Sequence, residues 1–333
     1  MKYKLLGKSG LRVSELALGA MTFGSKGFGV EEEESRRVYD RFREAGGNFI
    51  DTANIYSMGI SEEFLGRFME KERERVVLAT KYTAPMRRRD VNASGNNRKN
   101  MMDSVHASLK RLKTDYIDLY QMHHVDRDTP WDEIWQAMEQ LVREGKVLYV
   151  GISDTPAWVV ARNNTLAELR GWSSFIGLQI RYSLIDRTVE RELLPMARSM
   201  DLGVTPWGTV GSGVLSGKYN LDPQSQGRAR MMGEIPERSL KIAAEVVAVA
   251  KEVDRPPTQV ALNWVRQGEG VIVPLVGART VDQLEENLGC LDFTLSDSQM
   301  ERLNKVSAIS PGFPHDMLGD HSRRNKNLIN HRR

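Results

Sequence analysis

Short apolar runs alternate along the chain with longer stretches in which apolar residues recur at helical spacing. LALG (17–20), NFIDT (48–52), VVLAT (76–80), YIDLYQM (116–122), VLYVGIS (147–153), IGLQI (176–180), GVTPW (203–207) and VIVPL (271–275) read as strands. Between them the pattern predicts helices at 31–45, 61–71, 99–111, 131–143, 155–168, 187–200, 237–253 and 280–289. Gly46-Gly47 closes the first, as suits the left-handed cap of a helix. Two more helices are expected at 256–267 and 295–308, the second capped by Ser296. Ahead of all this, YKLL and LRVS flank GKSG and read as a β-hairpin.

Strands apolar on both faces, joined by helices, imply parallel pairing with crossovers. Eight such units match a closed (β/α)8 TIM barrel with extra helices and long loops at its C-terminal face. An open doubly wound sheet competes, because alternation alone does not establish closure. No linker or internal repeat interrupts the pattern, so one domain is expected over 1–314, followed by a tail at 315–333. Two long polar connections, 82–98 and 208–236, leave the C-terminal ends of the third and seventh strands, the face where barrels build their sites.

Composition narrows the classes. The 333 residues carry 47 Lys and Arg against 44 Asp and Glu, a net +3 that is too small for a nucleic-acid footprint. That excess sits in the tail, with five basic residues and two acids; a solvated extension is expected there. Cys290 is the single cysteine, which excludes an internal disulfide framework and a Cys-rich metal site, and it reads as a small buried residue. No secretory signal and no apolar run of roughly 20 residues is present. A cytoplasmic setting is expected, with neither membrane nor nucleic acid as partner.

Ionisable groups gather at strand ends. Asp51 ends the second strand, Lys81 follows the third, His123 follows the fourth, and Tyr56 stands five residues past Asp51. Taken singly, each has a structural explanation: an Asp caps a turn, a Tyr packs, and His124 next door shows that a histidine here need not react. Together on one barrel rim they suit proton donation to a carbonyl. A phenol titrates near pH 10, and a lysine cation beside it favours the phenolate and lowers that value. An aspartate would keep the lysine charged, and a histidine N–H would polarise the carbonyl oxygen. A hydride donor would complete a carbonyl reductase.

AGGNFIDTANIYSMGISEEFLG (45–66), ATKY (79–82) and SLKRLKTDYIDLYQMHHVD (108–126) resemble, in that order, motifs of the aldo-keto reductases. The resemblance runs from LGKSGLRVSELALGAMTFG to ARTVDQLEENL. It implies that Asp51, Tyr56, Lys81 and His123 form a catalytic tetrad in which Tyr56 donates the proton. GISDTPAWVVARNNTLAE (151–168) and PWGTVGSGVLSGKY (206–219) resemble the aryl-alcohol-dehydrogenase-like bacterial branch.

Other roles follow from the same resemblance. Trp207 would stack on a nicotinamide, followed by Gly208 and Thr209, with Ser153, Asp154 and Gln179 near the carboxamide; Asp154 stands where the family usually has Asn. Lys218 and Arg228 would reach the pyrophosphate. Arg279, Gln283 and Asn287 in GARTVDQLEEN would hold the adenosine phosphate, Arg279 being suited to a 2′-phosphate. Some branches carry Lys and Arg where Gly277 and Gln283 stand here. NADP(H) is expected over NAD(H), with no metal, and no G-x-G-x-x-G opens a helix. The substrate is expected to be a small carbonyl compound, aryl aldehydes first, lined by the hairpin turn, the 82–98 and 208–236 loops and the C-terminal segment. Two rivals stand beside this reading: a nucleotide-sensing regulatory subunit with little turnover, and a Schiff-base barrel lyase using Lys81.

Overall fold

The computed structural model describes residues 1–24 and 29–318; the 315–333 tail therefore lies outside the described residues from 319 onward. The hairpin forms as β1 (Tyr3–Leu5) and β2 (Arg12–Ser14), paired antiparallel with Tyr3 opposite Ser14. Eight parallel strands follow: β3 (Ala17–Gly19), β4 (Phe49–Asp51), β5 (Val77–Tyr82), β6 (Ile117–Met122), β7 (Val147–Ser153), β8 (Gly177–Arg181), β9 (Gly203–Trp207) and β10 (Leu275–Val276). They pair in chain order, with β10 beside β3. The chain just before β10 meets β9, where Val204 donates to Val271 O at 2.7 Å and accepts from Val273 N at 2.8 Å. The ring is closed, which decides against the open sheet.

β10 is shorter than its apolar run predicts. Pro274 has no N–H for a ladder, although its carbonyl still accepts from Ala17 N at 3.0 Å. Proline also explains the second shortened element. The helix expected at 187–200 is confined to Leu193–Ser199, because Pro195 is tolerated only in a first turn. Elsewhere the expected helices appear within a few residues of their predicted bounds. In the helix Glu32–Glu44, Ser35, Val38, Tyr39 and Phe42 form the buried stripe, and Gly46 takes the left-handed cap at φ 83°. Ser296 caps Asp297–Val306 in a reciprocal box with Gln299.

Strand alternation sorts the core into two compartments. Leu78, Tyr82, Tyr120 and Met122 face the helices, whereas Phe49, Val77, Ala79 and Leu119 fill the barrel. The same alternation sends Asp51, Lys81, Gln121 and Gln179 inward above that apolar layer. Lys81 lies beside Gln121 in the ladder, and Ser153 beside Gln179. The barrel is thus apolar below and polar at its C-terminal mouth.

The hairpin lies at the opposite end, which corrects its expected place beside the substrate. Leu6 and Val13 are fully buried in the barrel's apolar layer, and Lys8 N donates to Asp201 O at 2.8 Å. Gly7, at φ 57°, passes so close to Ile176 O and Asp201 O that a Cβ would sit 2.5 and 2.6 Å from them. These contacts belong to the N-terminal ends of the strands, where Leu6 acts as a stopper.

Candidate active site

Lys81 is wholly buried at the mouth, its Nζ donating to Asp51 Oδ1 at 2.6 Å and to Thr52 O at 2.8 Å. Asp51 Oδ2 accepts from Gln179 Nε2 at 2.9 Å and from Gln121 Nε2 at 3.4 Å. Burial pulls the Lys81 ammonium down from its ordinary value, but the Asp51 carboxylate and Tyr56 outweigh it and the net shift is upward. Lys81 therefore remains a cation, and its Nζ lies 5.3 Å from the centroid of the Tyr56 ring.

Tyr56 sits on the turn between β4 and the helix Ile60–Phe68. The expectation that Lys81 lowers its pKa holds only as one contribution. Burial raises the phenol more strongly than the Lys81 cation lowers it, and Asp51 raises it further, so the net direction is up. The phenol is held protonated.

His123 presents its ring edge-on to Tyr56, with centroids 5.7 Å apart and planes at 81°. Burial, then the Lys81 charge and His124, bring its pKa down to about 3, so the imidazole is neutral. Its loop is fastened by residues that the sequence reading passed over. Asn96, from the 82–98 connection, donates to Thr83 Oγ1 at 2.9 Å and His124 O at 3.2 Å and accepts from Asp126 N at 2.6 Å. A buried asparagine in a loop otherwise rich in Arg and Asn gives no periodic signal. His124 points to solvent.

An open cavity of about 440 Å³ adjoins Tyr56, lined also by Met21, Ile55, Ser57, Arg228, Met231 and Met232. Of the four segments expected around a substrate, only 208–236 contributes to this lining among the described residues, with the C-terminal segment outside them from 319 onward; Met21 and the Tyr56 turn supply the rest.

The aldo/keto reductase family profile matches residues 15–308. The chain belongs to this family. It is 37% identical over 318 residues to an uncharacterized oxidoreductase, YrpG, of Bacillus subtilis, covering 92% of this chain and 96% of that one. An aryl-alcohol dehydrogenase [NADP(+)] of Phanerodontia chrysosporium is 36% identical, with 94% and 87% covered. The norsolorinic acid reductase stcV of Emericella nidulans is 39% identical, with 92% and 81% covered. The protein is accordingly an oxidoreductase enzyme of the aldo/keto reductase family.

The remaining predicted residues of this aldo/keto reductase divide between the mouth and its rim. Trp207, at the end of β9, donates its indole N–H to Asp154 Oδ1 at 3.2 Å, and Ser153 is buried beside it. Gly208 is exposed with φ 69°, and buried Thr209 donates weakly to Leu275 O at 3.5 Å. Gln179 is turned toward Asp51, as described. Lys218 donates to Gln226 O at 3.1 Å and lies 4.8 Å over the Tyr219 ring, whereas Arg228 lines the Tyr56 cavity.

Past β10, Arg279 precedes the helix Val281–Leu288, whose Thr280 side chain caps Gln283 N. Gln283 Oε1 accepts from Arg279 N at 3.0 Å, and Asn287 donates to exposed Gly277 O at 3.4 Å. The Arg279 side chain is exposed and forms no ion pair among the described residues.

Proposed function

We propose that this enzyme reduces aldehydes or ketones to alcohols with NADPH, Tyr56 donating the proton. The observation that carries the reading is the buried Asp51–Lys81 pair at 2.6 Å beneath Tyr56, with neutral His123 at the ring edge. These groups suit a substrate oxygen that gains negative charge. The protonated phenol would give up its proton to that oxygen, and the Lys81 cation would stabilise the phenolate left behind. The His123 N–H would orient and polarise the oxygen without carrying a charge of its own. Asp51, held by Gln179 and Gln121, keeps Lys81 cationic through the cycle.

The rim suits a nicotinamide dinucleotide phosphate. Trp207 offers an indole face held by Asp154, and Arg279 offers a guanidinium that is unpaired among the described residues, at a helix N-terminus, a good anion site. Gln283 and Asn287 stand one turn apart beside it, while Lys218 and Arg228 would meet the pyrophosphate. When bound, that cofactor supplies the hydride to the carbonyl carbon. The apolar, methionine-rich cavity beside Tyr56 favours flat apolar carbonyl compounds such as aryl aldehydes.

Two features disfavour the rivals. A Schiff base requires an accessible neutral amine, whereas Lys81 is buried and held as a cation. A sensing subunit has no need of a solvent-open cavity next to the proton donor. Tyr56→Phe decides the matter: cofactor binding should persist while turnover falls by about two orders of magnitude or more. Full activity in that variant would sink the mechanism.

A further inference from the structure

The residue after Tyr56 begins an unusual stretch of backbone. Ser57 (φ 51°), Met58 (φ 55°) and Gly59 (φ 100°) occupy the left-handed region in succession, and two of the three carry a Cβ. Such conformations are unfavourable and persist only where the surroundings impose them. At one side Ser57 Oγ donates to Phe23 O at 3.0 Å. At the other Arg111 runs beneath Gly59, where a Cβ would stand 2.8 Å from Arg111 Cδ.

Arg111 is there because of Glu62, one turn into the helix Ile60–Phe68. Glu62 is fully buried, its Oε2 accepting from Arg111 Nε at 2.7 Å and its Oε1 from Thr80 Oγ1 at 2.6 Å. The neighbouring Glu63 is exposed. Thr80 immediately precedes Lys81 on β5, so one dipeptide sends a cation into the barrel and a hydroxyl outward to Glu62. An apolar contact would hold the helix against the strand equally well, yet would not fix its register as directional hydrogen bonds do.

We propose that Glu62, through Thr80 and Arg111, is a positioning residue that holds the Tyr56 turn at a set distance from Lys81. The proposal rests on the reductase reading for its functional meaning, but its geometry can be measured without turnover. Removing the Thr80 hydroxyl would let the strained turn relax away from the β5 cation.

Thr80→Val keeps the shape and deletes the donor, and Thr80→Ser restores it. In Thr80→Val, kcat should fall about tenfold while KM and the NADPH Kd change less than about twofold. The titration of Tyr56, followed by NMR of 13Cζ-labelled tyrosine and assigned by the signal missing in Tyr56→Phe, should move upward by about 0.5 pH or more. Thr80→Ser should match the parent in both. A Tyr56 titration unchanged in Thr80→Val overturns the proposal whatever the turnover, as do equal changes in the Val and Ser variants. Absence of carbonyl turnover in the parent enzyme would sink the reductase reading alone, because the titration reports the positioning directly.

Discussion

Lys81 Nζ and Asp51 Oδ1 meet at 2.6 Å with both side chains withdrawn from solvent, so each charge depends on the other for its partner. Removing one leaves the other buried and uncompensated. Lys81→Met should lower the unfolding free energy by about 3–5 kcal/mol, measured by urea denaturation. Adding Asp51→Asn should recover much of that stability without restoring turnover. Additive losses in the double variant would mean that the pair is not coupled.

His123 makes stability depend on pH. Its folded pKa of about 3 lies below the ordinary 6.5, so the unfolded chain binds the extra proton in that interval. The resulting contribution is complete above pH 6.5 and is lost progressively as the pH falls toward 3. Stability measured between pH 4 and 7 should therefore vary less steeply in His123→Gln than in the parent. The same neutral imidazole implies that kcat in the reductive direction shows no histidine limb between about pH 5 and 8. A limb in that range which disappears in His123→Gln would contradict the assignment.

Arg279 tests the cofactor reading. If its guanidinium meets the 2′-phosphate, Arg279→Ala should weaken NADPH binding by about 10- to 100-fold, a charge-assisted hydrogen bond's worth. NADH binding should change by less than about threefold, as it lacks the group that Arg279 would hold. Fluorescence titration of both nucleotides is the measurement. Equal weakening of the two would assign Arg279 to another part of the nucleotide.

Gly203 tests the stopper. A Cβ there would collide with Leu6 Cδ1 and lie 3.0 Å from Gly7 N. Gly203→Ala should destabilise the fold by about 1–3 kcal/mol through overpacking. Activity well below the melting temperature should remain near the parent value, because the collision is at the far end of the barrel from Tyr56. A large loss of turnover with an unchanged melting temperature would place the hairpin's influence at the site after all.

The strands were legible because they are short, apolar and bounded by turns, and the gathering of Asp51, Lys81 and His123 at the mouth because each stands at or next to a strand end. What escaped depends on partners distant in sequence. Closure itself was expected from the count of eight units, but the contact that makes it, Val204 meeting Val271 and Val273, is a pairing that no local pattern announces. The hairpin's location is set by Leu6 entering the barrel from below, and a two-strand pattern carries no information about which end it covers. Glu62 carries no signal in the sequence that sets it apart from exposed Glu63, yet it is buried because Thr80 and Arg111 converge on it from other elements. The direction of the Tyr56 shift required the balance of burial against charge, whereas spacing revealed only that a lysine was near.

Leu6 and its neighbours close the barrel beneath the polar layer, which turns the mouth into the sole doorway to Lys81 and Asp51 among the described residues. Traffic is consequently one-sided. On the proposed reading, a carbonyl compound entering past Met231 and Met232 and the alcohol formed from it would use the same passage in turn, so each would obstruct the other. Changes in the 208–236 segment can alter admission at that doorway while the sealed floor, and with it the stability of the barrel, stays as it is.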